Sequence, residues 1–130
     1  MRLVSANVNG IRAAVRRGGL SWLEDQNADI VCLQEVRATD DQLTTALGDA
    51  FDGWHLAHRP SGVRPGHAGV AILSRWPLEV TDDLGEADEQ GRWLAVRTNG
   101  VEVASVYVHT GEADTPAQDD KHRFLAAMGK

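Results

Sequence analysis

Apolar and polar residues alternate in a short stretch near the start of the chain, and a second short stretch is almost wholly apolar. Residues 2–8, RLVSANV, alternate with the period of two that is typical of a β-strand. Residues 29–35, DIVCLQE, predict a strand that is buried on both faces. The intervening residues have a helical pattern, and a strand, a helical connection and a strand form a crossover with parallel strands. Both strands should therefore end at the same edge of one sheet.

Capping and turn residues divide the rest of the chain into further elements. Capping-box patterns at Ser21–Glu24 and Thr39–Gln42 predict helices that begin there, the second of which should reach about Leu47. Thr115-Pro116 predicts a helix to about Met128. Asn99-Gly100 lies between two alternating runs and predicts a hairpin. Four further strands are predicted at GWHLAHRP (53–60), AGVAILSR (68–75), RWLAVRT (92–98) and VEVASVYVH (101–109), and an acidic loop at residues 81–91.

The composition is that of one globular domain. The chain has 130 residues, of which 42% are hydrophobic and 25% charged, and a net charge of -6. This charge argues against nucleic-acid binding by bulk positive charge, although it allows a metal site with a local basic strip. Cys32 is the only cysteine, which excludes a disulfide within the chain and fits a reducing compartment. No long apolar segment or basic leader is present in the sequence, so we expect a cytoplasmic protein with no membrane partner.

Two polar residues at the predicted strand ends are candidates for chemistry. Asn7 ends the first strand and Glu35 ends the second. The carboxyl ends of parallel strands form the edge at which open α/β sheets bind ligands. A carboxylate beside an amide oxygen suits Mg²⁺, which takes one or two protein carboxylates and leaves its other positions to water and phosphate. The alternatives are a solvated strand end for Glu35 and a turn-forming role for Asn7.

Five sequence motifs occur in one order along the chain. They are NVNGIRAA (7–14), ADIVCLQEVR (28–37), HAGVAILSR (67–75), QGRWLAV (90–96) and VASVYVHTGE (103–112). Together they closely resemble the amino-terminal half of the exonuclease III family of DNA-repair nucleases, within the endonuclease/exonuclease/phosphatase superfamily. The resemblance covers nearly the whole chain.

The resemblance implies roles for individual residues. Glu35 matches the family's magnesium-binding glutamate, with Mn²⁺ as the alternative cation, and Asn7 matches the asparagine that organises that metal site. Tyr107 matches the active-site tyrosine near the scissile phosphate, although a tyrosine in an apolar strand is more often a core residue. Arg92 resembles an arginine position of the relatives, and its alternative is a surface or loop-anchoring ion pair. Arg37 stands where relatives often have lysine, which makes it a candidate substrate-binding residue.

The resemblance also implies a fold and an incomplete active site. The family fold has two sheets packed face to face with helices outside. Residues 1–130 are expected to form the amino-terminal half of this four-layer α/β sandwich: one mixed sheet with flanking helices, and the second sheet missing. The family's catalytic Asp-x-Asn, a later aspartate and a closing Ser-Asp-His come from the carboxyl-terminal half. Alone, this chain should be inactive and should expose the sheet face that its missing half covers.

The implied activity of the complete protein is magnesium-dependent cleavage of double-stranded DNA in base-excision repair. It would cut beside abasic sites and remove nucleotides from 3′ ends. One alternative keeps the superfamily and changes the substrate to RNA, a phosphoinositide or another phosphodiester. The other is a non-catalytic half-protein that binds metal or a partner without turnover.

Overall fold

Seven strands and three helices form the part of the chain that the structure describes. The structure is a computed structural model, and it describes residues 2–60, 68–82 and 93–106. The helices are Ile11–Arg16 (α1), Gly19–Asp25 (α2) and Asp40–Leu47 (α3). The strands are Leu3–Asn7 (β1), Ile30–Gln34 (β2), His55–Arg59 (β3), Val70–Ser74 (β4), Glu79–Asp82 (β5), Trp93–Thr98 (β6) and Val101–Val106 (β7).

The first sheet contains the parallel pair that the sequence predicts. Its strand order is β1-β2-β4-β3, with β1 parallel to β2 and the other pairs antiparallel. Leu3 is in register with Ile30, and Asn7 is in register with Gln34. The predicted crossover and the α/β fold class with a mixed sheet are thereby confirmed.

The last three strands form a second, antiparallel sheet in the order β5-β6-β7. The expectation that this chain supplies strands for only one sheet, with the second sheet missing, was therefore wrong. Strands β2 and β4 are buried along their length, so both faces of the first sheet need a cover. Helices cover one face and the second sheet covers the other. Pro77, which lacks a backbone N–H, lies between β4 and β5 where the chain leaves the first sheet.

The layer between the two sheets has an apolar centre. Its buried residues are Ile30, Cys32, Val70 and Ile72 from the first sheet and Leu94, Val96 and Val103 from the second. Burial raises the pKa of the Cys32 thiol to about 11. The second sheet leaves β1 uncovered, because Leu3 is 47% exposed while Ile30, its register partner, is fully buried. Among the described strands, the other exposed large hydrophobic residues are Leu56 on β3 and Val80 on β5.

The opposite face of the first sheet packs against the helices. Helix α3 begins as predicted, with the Thr39 hydroxyl accepting from the Gln42 N–H and the Gln42 side chain accepting from the Thr39 N–H.

The predicted start of α2 at Ser21 was wrong, because the helix begins at Gly19 after a left-handed Gly18. A Cβ on Gly19 would lie 2.9 Å from the Ala14 carbonyl oxygen, so the close approach of α1 places the turn at the two glycines.

The predicted hairpin at Asn99-Gly100 is confirmed, and both residues have the positive φ (50° and 76°) that such a turn needs. Strand β5 was not predicted, and it takes in residues 81 and 82 of the predicted acidic loop. The rest of that loop and the helix predicted from Thr115 lie outside the described residues. No helix in the described ranges is long and apolar enough to cross a membrane.

Candidate metal and phosphate site

The carboxyl ends of β1 and β2 lie side by side, as the sequence predicts. The Val8 N–H donates to the Gln34 carbonyl at 3.0 Å and continues the ladder one residue beyond β1. Glu35 directly follows β2, and Asn7 is the last residue of β1. The structure therefore brings the two predicted metal ligands to the same edge of the sheet. Their roles as ligands stay predictions.

Glu35, Val36 and Arg37 form an unusual turn at this edge. Glu35 and Arg37 both have left-handed backbone conformations, with φ of 51° and 54°, and neither is glycine. Such conformations cost about 1–3 kcal/mol each and persist only where the surroundings hold them. Val36, between them, is fully buried. Because side chains two residues apart converge here, the turn presents a carboxylate and a guanidinium to each other.

Backbone hydrogen bonds on both sides hold this turn in place. The Val36 N–H donates to the Gly69 carbonyl at 3.0 Å, and the Arg37 N–H donates to the Ala68 carbonyl at 2.7 Å. From the other side, the Gly10 N–H donates to the Glu35 carbonyl at 2.7 Å. These hydrogen bonds fix the backbone at Glu35, and therefore the direction of its side chain. They come from the β1–α1 connection and from the segment before β4.

The Glu35 carboxylate is recessed and forms an ion pair with Arg37. An Arg37 Nη atom lies 2.9 Å from Glu35 Oε1, and the side chains of Arg37 and Glu35 are 41% and 13% exposed. A recessed carboxylate is costly unless a cation or hydrogen-bond donors compensate it. This pair supplies such compensation within the protein.

Asn7 has an exposed side chain that organises the next turn. Its Oδ1 accepts from the Asn9 N–H at 3.0 Å, and Asn9 and Gly10 then take positive φ values of 49° and 91°. The turn-forming role that we weighed as the alternative for Asn7 is therefore present. An amide oxygen has two acceptor sites, so this hydrogen bond leaves one for a metal.

Gln34 is a contributor that sequence reasoning missed. Its Nε2 donates to Ser5 Oγ at 3.1 Å and to Ser105 Oγ at 3.0 Å, and so joins β1 to β7 across the two sheets. The Ser105 hydroxyl in turn donates to the Leu33 carbonyl at 2.9 Å. The available signal was a glutamine at the end of an otherwise apolar strand, directly before Glu35.

Several predicted or alternative site residues fall outside this cluster. Tyr107 and Arg92 lie outside the described residues, although Ser105, two residues before Tyr107, contacts Gln34. The one Asp-x-Asn triplet of the sequence, at residues 25–27, begins at the last residue of α2 and precedes β2, so it lies at the opposite end of β2 from Glu35. Within the described ranges, no group of three or more His, Cys, Asp and Glu side chains could hold a metal.

The donor set at the strand ends fits Mg²⁺ better than a transition metal. It consists of a carboxylate whose partner in the structure is a cation, Arg37, and an amide oxygen that retains one acceptor site. Mg²⁺ prefers oxygen ligands, accepts few protein carboxylates and keeps several waters. Glu35 and Asn7 are the residues that would hold it.

An open cleft of about 460 Å³ runs beside β1. Its lining includes Asn7 from β1, Ile11 from α1, Arg17 directly after α1, and Trp22 from α2. In the described part of the chain, β1 has a strand neighbour on one side only. The cleft therefore lies along an edge of the sheet at which further polypeptide can join.

The sequence matches the Endonuclease/Exonuclease/phosphatase family over residues 4–129. Among curated relatives, the exodeoxyribonuclease of Bacillus subtilis is 38% identical over 111 residues, which cover 82% of this chain and 42% of that protein. The DNA repair nuclease APEX1 of Danio rerio is 32% identical over 111 residues, which cover 83% of this chain and 36% of that protein. The chain thus spans less than half the length of these relatives.

Solved structures show the same relationship. A 3′-5′ exonuclease from Neisseria meningitidis matches with a TM-score of 0.75 and 30% identity over 98% of this chain and 50% of its own. The catalytic domain of APE2 from Xenopus laevis matches with a TM-score of 0.78 and 25% identity over 98% of this chain and 52% of its own. The described architecture corresponds to about half of each.

Proposed function

The chain belongs to the Endonuclease/Exonuclease/phosphatase family, and from this premise we propose that the complete protein is a magnesium-dependent DNA phosphodiesterase of base-excision repair. It cleaves double-stranded DNA beside abasic sites and removes nucleotides from 3′ ends. The observation that carries the proposal is the recessed carboxylate of Glu35, directly after β2, at the same sheet edge as Asn7, the last residue of the parallel strand β1. The names of the relatives, an exodeoxyribonuclease and DNA-repair nucleases, support the choice of DNA as substrate.

Each candidate residue has a separate task in this proposal. Glu35 and Asn7 hold Mg²⁺, with Mn²⁺ as a substitute, and Tyr107 positions the scissile phosphate. Arg37 and Arg92 contact substrate phosphates, which a guanidinium group recognises through paired donors. The metal, when bound, neutralises charge on the phosphate and stabilises the leaving oxygen.

The general base that takes a proton from the attacking water belongs, in this proposal, to a carboxyl-terminal half. None of the five histidines in the sequence follows an aspartate, so the family's Ser-Asp-His has no match here. We therefore propose that residues 1–130 alone are inactive. The single buried thiol, Cys32, supports a reducing, cytoplasmic location.

The described fold offers a place for that second half. Strands β1 and β7 are each outer strands of their sheets in the described residues, and the Gln34 side chain joins them. The edge of the first sheet at β1 and the edge of the second sheet at β7 are thus close together. A unit that adds strands to both sheets would cover Leu3 and complete the sandwich.

The test compares the complete protein with residues 1–130 on one substrate. A duplex with a single abasic site is incubated with each protein, with Mg²⁺ or with a chelator. We expect nicking only by the complete protein with Mg²⁺, and loss of nicking in Glu35→Gln. An intact duplex with the complete protein and Mg²⁺ contradicts the assignment.

A panel of RNA, phosphoinositide and other phosphodiester substrates separates the first alternative from DNA repair. Metal binding by both proteins with no turnover on any substrate supports the non-catalytic module.

A further inference from the structure

The Arg37 guanidinium forms an ion pair with Glu35, the carboxylate that the proposed function assigns to a metal. It lies 2.9 Å from Glu35 Oε1, one of the two oxygens that this carboxylate can offer to a metal. Oxygen ligands approach Mg²⁺ at about 2.1 Å, so a bound ion would lie within a few ångströms of the guanidinium. Two cations that close repel each other in a recessed site, where water screens them less.

We propose that Arg37 is a positioning residue that holds the Glu35 carboxylate when no divalent cation is bound, and that metal binding displaces its guanidinium toward the substrate phosphate. This inference rests on the proposed function, because it takes Glu35 as the metal ligand. In this inference the Arg37 guanidinium competes with the metal for the Glu35 carboxylate, and this competition lowers the apparent metal affinity of the site.

The turn is built so that the Arg37 side chain can move while Glu35 stays fixed. The Arg37 N–H donates to Ala68, and its carbonyl accepts from Arg12 Nη2 at 3.1 Å, so the backbone is held on both sides. The side chain is 41% exposed, whereas that of Glu35 is 13% exposed. Rotation of the arginine side chain toward solvent therefore requires no change in the strained turn.

The surroundings favour a phosphate as the second partner of Arg37. The Arg12 guanidinium donates to the Arg37 backbone carbonyl at 3.1 Å, so a second guanidinium lies next to this turn in a chain whose net charge is -6. The Arg37 stem passes over Gly10, where an added Cβ would lie 3.9 Å from Arg37 Cδ. A local positive region in an acidic protein attracts an anionic backbone to this point.

Mn²⁺ binding measured by electron paramagnetic resonance tests the inference without any catalytic assay. Mn²⁺ is titrated into the 130-residue chain and into the variants Glu35→Gln, Arg37→Gln and Arg37→Lys. We expect Glu35→Gln to abolish binding at this site. We expect Arg37→Gln to tighten it by about fivefold, which corresponds to the loss of a partly exposed ion pair. Arg37→Lys, which keeps the charge without the guanidinium fork, should stay within about twofold of the wild type.

Two control variants separate loss of the ion pair from loss of positive charge. Arg12→Gln removes a guanidinium from the same neighbourhood and leaves the Glu35–Arg37 pair. Arg97→Gln removes one from the second sheet, where Arg97 lies 4.0 Å from Glu102. Tightening in Arg37→Gln that exceeds both controls supports competition for the carboxylate. Equal tightening in Arg12→Gln and Arg37→Gln overturns it in favour of general electrostatics.

The failure of this inference is distinguishable from that of the proposed function. If Glu35→Gln binds Mn²⁺ as the wild type does, the metal site itself is wrong. If Glu35→Gln loses binding and Arg37→Gln binds equally or more weakly than the wild type, the metal site stands and the competition is wrong.

A second measurement uses the wild-type chain and does not depend on how the variants fold. The ¹⁵N resonance of the Arg37 Nε–H group is followed while diamagnetic Mg²⁺ is added. A shift that saturates with the metal supports displacement of the guanidinium. An unchanged Arg37 resonance at saturating Mg²⁺ overturns it.

Discussion

Ser74 Oγ and Thr98 Oγ1 lie 2.8 Å apart and form a buried hydroxyl pair between the two sheets. Ser74 ends β4 and Thr98 ends β6, and the two residues are 0% and 2% exposed. The Ser74 hydroxyl also accepts from the Trp76 N–H at 3.1 Å. The pair therefore fixes how the turn after the first sheet meets the second sheet.

Ser74→Ala should lower the free energy of unfolding by about 1–2 kcal/mol, because a partly buried Trp76 N–H loses its acceptor. Chemical denaturation measures the effect, and Ser21→Ala on the exposed face of α2 is the control. The double variant with Thr98→Val should be less than additive, since both changes remove the same bond. Strict additivity would show that the two hydroxyls act independently.

Glu35→Gln should lower nuclease activity of the complete protein at least about 100-fold, because an amide is a poor substitute for the charged metal ligand. The matched control is Glu24→Gln, the same change at an exposed position of α2. Initial rates at saturating Mg²⁺ on an abasic-site duplex provide the measurement. Equal rates for Glu35→Gln and the wild type would remove Glu35 from the metal site.

Gln34→Ala should loosen the connection between β1 and β7. The variant loses the donations to Ser5 and Ser105, and we expect a loss of about 1–2 kcal/mol in the free energy of unfolding. Ser5→Ala, at an exposed position, should cost less. Hydrogen exchange at the β7 amides should rise more in Gln34→Ala than in Ser5→Ala, and equal protection would contradict the role of Gln34.

His58 should make the fold less stable in mild acid. Its side chain is buried, its Nδ1 lies 2.7 Å from Asp40 Oδ1, and burial lowers the pKa of His58 below its ordinary value of 6.5, against the opposing effect of Asp40. The unfolded chain therefore takes up a proton at a higher pH than the native chain does. Stability contributed by neutral His58 is present above pH 6.5 and is lost as the pH falls through the native pKa.

The variant His58→Gln removes this titration and should flatten the dependence of the unfolding free energy on pH between about 7 and 5. His55→Gln is the matched control, because His55 lies on the same strand and is exposed. Denaturant midpoints across this pH range give the comparison. An unchanged slope in His58→Gln would show that His58 is not the titrating group.

Local patterns predicted the elements that depend on neighbouring residues. The alternation before Asn7, the apolar run at β2, the Thr39 capping box and the Asn99-Gly100 turn each have a short-range cause, and the structure confirms each of them. Alternation shows that a strand has two different faces, but it does not show which sheet the strand joins. The second sheet was missed for that reason.

The candidate site was predictable in position and only partly in structure. Parallel strands place their ends together, so the proximity of the Asn7 and Glu35 backbones followed from the crossover. The left-handed conformations of Glu35 and Arg37 did not, because neither residue is a glycine or an asparagine. The Gln34 bridge depends on the second sheet and could not be predicted without it.

Cys32 lies in the apolar layer between the sheets, and its position gives the protein an internal reporter of breathing motions. The thiol is 2% exposed, and its pKa of about 11 keeps it protonated at neutral pH. A thiol-specific reagent therefore labels it only when the sheets separate or the chain unfolds. The labelling rate of the native chain measures how often the sandwich opens, at a single natural site and without any introduced probe.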